Sequence, residues 1–357
     1  MTRSRFRSIS IQGIVLLVLA GCLTPFDVVT ENKGGRIVIS GQLNTLDEAQ
    51  TVEVGVTSNK YRKPFPVIEA KVTLYDLADP GSPVLFYPAT GKDGVYELNG
   101  FHGTPGRSYY LQVILKTGEV YQSRPEKIPA TQPSLTTEFD FDTRSEIDID
   151  GLPTHNSYLN VYSNSSITAD RDSVYLKWDA VSTFIIVPTN FPDPFGVVPP
   201  PCFVTQKSDP QRITLAAIPP KSTTEFNRLL VGKRFINYSF ITRHYITVYQ
   251  SALTYSAYEY WRKANLLANR VGSIFDTPPA PLEGNLYNPN DPADKPLGYF
   301  QATNTAFSRF FLVRSDLPLL LQPEMMCDFK GWEFNYPGIC LDCLSVSNSS
   351  YVAPEWF

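Results

Sequence analysis

Cysteines, histidines and clustered aspartates carry the chemistry available to this 357-residue chain. The first cysteine closes Leu19-Ala20-Gly21-Cys22, behind three arginines (Arg3, Arg5, Arg7) and an apolar run from Ile14 to Leu19. A basic start, an apolar core and small residues at the end make a secretory signal. A cysteine directly after the glycine makes that signal a lipobox, in which Cys22 is acylated and becomes the new N-terminus. A membrane-spanning helix would need about 20 apolar residues, and Ile14–Leu19 with its neighbours falls short. The mature protein is therefore expected to begin at Cys22 and to sit on a membrane surface without crossing it.

Four cysteines remain: Cys202, Cys327, Cys340 and Cys343. An even number in an exported chain points to disulfides, with three connectivities open. Cys340-Leu341-Asp342-Cys343 has metal or redox spacing, but a zinc site needs a second ligand pair of comparable spacing. Cys202 and Cys327 do not make one, and the three histidines (His102, His155, His244) lie in separate segments. A disulfide clamp on the C-terminal segment is the reading, with no metal. Asp140, Asp142, Asp148 and Asp150 raise calcium, since clustered carboxylates can hold it. They alternate with Phe139, Phe141, Ile147 and Ile149, which fits strands with one wet face better. No cofactor is expected, and calcium is the one with any support, a weak one.

Enzyme signatures are missing: there is no Gly-x-Ser-x-Gly elbow, no His-Glu-x-x-His pair and no phosphate-cradling glycine loop. His244 sits in an alternating segment, where a residue satisfied in place is expected. Paired carboxylates for glycoside cleavage meet only in space, so a surface hydrolase of glycan or peptide stays an alternative to a non-catalytic protein. A structural or adhesion protein of the envelope is another.

These residues need elements to hold them, and the composition says which. Thirty prolines and 13% aromatic residues argue for strands over helices. Removal of residues 1–21 takes three positive charges and moves the formal charge from −4 to −7. An acidic chain with no basic run is a poor nucleic-acid binder. The 336 mature residues exceed what one core serves, so two domains are expected.

The expected order is a signal peptide at 1–21, a polar tether at 22–35, a β-sandwich at 36–130 and a β-rich domain at 131–357. About seven short strands in the first domain, from Ile37-Val38-Ile39 to Val120–Ser123, have the rhythm of an immunoglobulin-like or carboxypeptidase-regulatory-like sandwich. Pro125 to Pro133 marks its end. The larger second domain reads as mainly β with one clear helix at about 255–271.

Ser256 and Glu259 form a capping box for that helix, Ala257, Trp261, Ala264 and Ala268 follow at helical spacing, and Gly272 stands at the C-cap position. Tyr260-Trp261 on an amphipathic helix reads as core before ligand platform. The apolar loop Val187–Pro201 carries Phe191, Phe195, Val197 and Val198. Packing on its own domain is its plainer reading. A partner contact is the functional one, with those four residues as its candidates.

Around the helix the chain resembles a known family. Ala257–Arg262 leads to Gly272–Pro279, then Leu282-Glu283-Gly284-Asn285, Leu297-Gly298-Tyr299-Phe300, the Cys340/Cys343 pair and Pro354–Phe357. This ordered set resembles the domain of unknown function 4249 family of Bacteroidota lipoproteins, over nearly the whole mature chain. The resemblance implies an outer-membrane lipoprotein typically encoded beside a TonB-dependent transporter. With lipid anchoring, two β-rich modules and no catalytic motif, the expectation is a non-catalytic accessory of that transporter in substrate capture or complex assembly. The resemblance assigns no catalytic residue. Residues 23–27 lack the acidic run of a surface-export signal, so the periplasmic and the cell-surface face both stay open. Gly284 and Gly298 fit turn or close-approach positions.

Overall fold

The computed structural model describes residues 35–58, 63–147, 150–189, 200–209, 212–269, 282–331, 335–354 and 356–357. Residues 35–357 form one compact unit. The strands of its first part are β1 (Ile37–Asn44), β2 (Gln50–Val56), β3 (Phe65–Pro66), β4 (Ala70–Asp76) and β5 (Asp79–Pro88). They are followed by β6 (Val95–Leu98), β7 (Ser108–Leu115), β8 (Val120–Ser123) and β9 (Glu126–Lys127). Period-2 alternation sets their faces. Ile37, Ile39 and Gly41 of β1 stand opposite Val56, Val54 and Val52 of β2, and these pack against Val72, Leu74, Leu111 and Val113 from β4 and β7. Strand β5 pairs with both β4 and β6, so the two faces of this sandwich are one curled sheet.

The second part holds β10 (Thr136–Ile147), β11 (Pro153–Ala169), β12 (Val174–Ile186), β13 (Cys202–Lys207) and β14 (Thr214–Ile218). It continues through β15 (Ser222–Phe235), β16 (His244–Leu253), helix α1 (Tyr255–Ala268), β17 (Leu286–Tyr287), β18 (Leu297–Leu312), helix α2 (Gly338–Leu341) and β19 (Ser349–Ser350). A three-stranded sheet, β10-β11-β15, covers the inner face of β12, β16 and β18. Trp178, Leu176, Leu159, Val161, Ile246 and Val248 fill that core.

The fold is mainly β with one long helix, as the composition predicts. The link between its two parts is not visible in composition. Strand β18 runs parallel to β1 from Val38↔Leu297 to Asn44↔Thr303, then antiparallel to β16 from Ala252↔Asn304 to His244↔Leu312. Its Phe300 and Ala302 lie in the first core, and its Leu312 lies in the second. Strand β17 pairs with β8 at the far edge of the first part. Residues 285–303 thus complete a sandwich that the sequence divides off at 125–133.

The outer face of β12, β16 and β18 is covered at both ends. Helix α1 lies on Tyr175, Leu215 and Tyr299, and Trp356 and Phe357 pack on Tyr245 and Phe203 at the other. Among the described residues no helix is long and apolar enough to cross a membrane.

Candidate functional site

The Leu282–Asn285 and Leu297–Phe300 segments meet face to face. Gly298 has φ +99°, and a Cβ there would stand 2.0 Å from the Ile39 carbonyl oxygen. A Cβ on Gly284 would stand 1.7 Å from the Gly298 oxygen. Both positions are close backbone approaches that admit glycine alone. Beside them the Asn285 side chain acts as a strand fragment: its Nδ2 donates to the Phe300 oxygen at 2.8 Å, and its Oδ1 accepts from the Phe300 amide at 3.0 Å.

Glu126 lies buried at this junction. Its carboxylate accepts from Tyr299 OH at 2.5 Å, Thr254 Oγ1 at 2.6 Å, and Ser256 Oγ and Asn285 Nδ2 at 3.2 Å each. Burial raises its pKa, and the four donors oppose that rise. Burial also raises the Tyr299 phenol, and the Glu126 charge adds to the rise. Strand β9, the start of α1, the 282–285 segment and β18 are tied to one carboxylate. Nothing in the Glu126 sequence context signalled this.

Helix α1 begins differently from the capping-box expectation. Thr254 is the N-cap and accepts from the Ala257 amide at 3.2 Å. Ser256 has turned to Glu126, and Glu259 forms a bidentate pair with Arg262 at 2.8 and 2.9 Å. The buried carboxylate draws the Ser256 hydroxyl away, and an arginine one turn on is the better partner for Glu259. Asn269 is the C-cap, three residues before Gly272, which lies outside the described residues.

Tyr260 and Trp261 face the sheet: Tyr260 stacks near Tyr299, and Trp261 Nε1 donates to Gln301 Oε1 at 2.7 Å. The buried Lys177 ammonium sits 4.5 Å from the Trp261 ring centre and pairs with Asp179. Burial holds the Lys177 pKa below the usual lysine range. These two aromatics are packing residues, as their spacing predicts.

Of the candidate carboxylates, Asp140 and Asp142 are already engaged. Asp140 accepts from Asn160, Tyr162 and Arg228, and Asp142 pairs with Arg144, all on the outer face of β10-β11-β15. Phe141 packs against the second core, and Phe139, 40% exposed, stacks on Phe310 at 5.2 Å. Asp148 and Ile149 lie outside the described residues. Among the described residues no group of three or more His, Cys, Asp or Glu could hold a metal ion. His244 is buried between Phe240 and Phe184, its Nδ1 3.0 Å from the Ser239 carbonyl. His155 Nδ1 lies 3.1 Å from Ser145 Oγ as an exposed cross-strand pair of β10 and β11.

All four cysteines after Cys22 form disulfides, Cys202–Cys343 and Cys327–Cys340. They fold the C-terminal segment back onto the end of the sheet where β12 and β18 finish and β16 starts. Here an apolar pocket of about 360 Å³ opens, within the size range of ligand sites. Ile185 and Ile186 of β12 and Ile241 before β16 line one side, and Met325, Met326 and Phe329 of the clamped segment line the other. The same end carries the 3₁₀ turn Leu319–Leu321, with Leu319 83% and Leu320 95% exposed. Cys22, Phe191, Phe195, Val197 and Val198 lie outside the described residues.

The fold and its junction define a mainly β protein in which two sandwich-like layers share one long strand. The chain matches the family model described as Domain of unknown function (DUF4249) over residues 23–309, and it belongs to that family. No curated protein matches the chain. A solved tetra-tandem repeat from the extending region of a large adhesion protein aligns at 12% identity with a TM-score of 0.19. That alignment covers 78% of this chain and 49% of the other. At that TM-score the likeness carries no argument about fold or function.

Proposed function

We propose that this is a lipid-anchored, non-catalytic outer-membrane protein. In this reading it serves a TonB-dependent transporter as an accessory in substrate capture or complex assembly, presenting its disulfide-clamped end to the partner. The observation behind the reading is the polarity of the shared strand. Because β1 and β18 are parallel, the chain enters this unit beside the start of β18. The pocket and Leu319–Leu321 lie where β18 ends. Sixteen residues at about 3.3 Å each put roughly 50 Å between the two. Exposed leucines of that kind suit a contact surface, and these stand at the end of β18 opposite the point where the chain enters the fold.

Detergent co-purification from the native membrane tests the reading. The expected result is recovery together with a transporter-sized partner. Recovery as a lone monomer, under conditions that preserve transporter complexes, would overturn it.

A further inference from the structure

We infer that the pocket at the disulfide-clamped end is a binding site for a compact apolar molecule carrying one positive charge. The inference rests on the reading of that end as the working end, and it names the class of molecule captured there. Three features of the pocket lead to it.

The first is volume. About 360 Å³ suits a small ring system or a short branched chain, at the lower end of ligand pockets. The second is adaptable lining. Two of the chain's three methionines, Met325 and Met326, stand side by side in the wall with Phe329, Ile339 and Ile241. Thioether side chains are flexible and polarizable, and they fit aromatic and aliphatic guests of varied outline. This wall is anchored: Cys327 is bonded to Cys340, and the Cys340 oxygen accepts from the Thr189 amide at 2.8 Å.

The third is charge. Among the described lining residues Asp328 is the one carboxylate, and there is no lysine, arginine or histidine. Thr242, also in the lining, spends its hydroxyl on the Ile185 carbonyl at 2.7 Å. Asp328 is exposed, so its place is at the rim. An apolar guest with an ammonium group buries its body among Met325, Met326 and Ile241 and leaves its charge beside Asp328. An anionic guest of the same shape meets the Asp328 charge, with the Tyr238 phenol as a neutral donor in the described lining.

The test is a titration series that keeps the ring and changes the charge: tryptamine, indole and indole-3-propionate. It uses the mature full chain carrying Cys22→Ser, so that no detergent competes for an apolar pocket. Tryptamine should bind saturably at one site, about tenfold more tightly than indole-3-propionate, since attraction and repulsion at an exposed rim each move affinity a few-fold. Asp328→Asn should bring the two within about threefold of each other. Met326→Trp, which fills the pocket, should abolish tryptamine binding in a protein whose melting temperature shows it folded. Absence of saturable tryptamine binding overturns the proposal. Equal affinity for the anionic analogue, or binding that Met326→Trp leaves intact, also overturns it. Failed titration with intact transporter co-purification removes the ligand and keeps the accessory reading. Tryptamine binding by a protein recovered alone does the reverse.

Discussion

Glu126 is a carboxylate taken out of water and given four neutral donors. Such a group is stable only while its partners stay in place, since a buried polar group left unpaired costs about 1–3 kcal/mol or more. The same logic of close approach governs Gly298, where a methyl group would strike the Ile39 carbonyl in the β1–β18 ladder. Gly298→Ala should lower stability in urea denaturation by about 3 kcal/mol or more. Gly100→Ala is the control: it has φ +68° with nothing within 4 Å of a new Cβ, and should cost about 1–2 kcal/mol. Equal losses at the two sites would refute the close-approach account.

His244 belongs to this scale as well. Burial pushes its pKa down to about 3, with the Arg234 charge adding to the shift. The folded imidazole stays neutral while the unfolded one takes a proton near pH 6.5. Its contribution is therefore complete above pH 6.5 and drains away as pH falls from 6.5 toward 3, by up to about 1.4 kcal/mol per unit. His244→Phe should flatten the fall in stability between pH 6.5 and 4. An unchanged slope would mean that the residue does not titrate in that window.

At the scale of elements, most strands of the first part could be read because one face is apolar and the other wet. Strand β10 could be read for the same reason: Phe139 and Phe141 alternate with engaged acids. Strand β18 could not. Gln301, Thr303, Asn304 and Thr305 are polar and buried, and a strand hydrogen-bonded on both edges and covered on both faces shows no period of two. The Thr254 cap was hidden by a neighbouring capping box that a distant carboxylate had already disrupted. Disulfide pairing is a spatial fact, so spacing could count the cysteines but not match them.

The pairing now makes a graded prediction. Cys202–Cys343 closes 141 residues of separation and Cys327–Cys340 closes 13. By loop entropy, the paired serine variants should lose about 5 and about 3 kcal/mol respectively. Guanidinium midpoints in that order support the clamp as a restraint on the unfolded chain; the reverse order would place its effect in the native state.

For the whole molecule, the family signature is largely architecture: Gly284, Asn285, Gly298 and Tyr299 weld the layers where β18 passes from one core to the other. That weld makes residues 35–357 one compact unit, with the start of β1 at one end of β18 and the clamped apolar pocket at the opposite end. Under the proposed lipid anchoring, a fold built this way would hold the pocket end clear of the membrane.

Site-specific photo-crosslinking tests whether the pocket end meets the partner. A photoreactive residue at Leu320 is compared in native membranes with one at Tyr87, an exposed position on the first layer. The expected result is a crosslink to a transporter-sized partner from position 320 and none from position 87. A partner captured from 87 and not from 320 would contradict it.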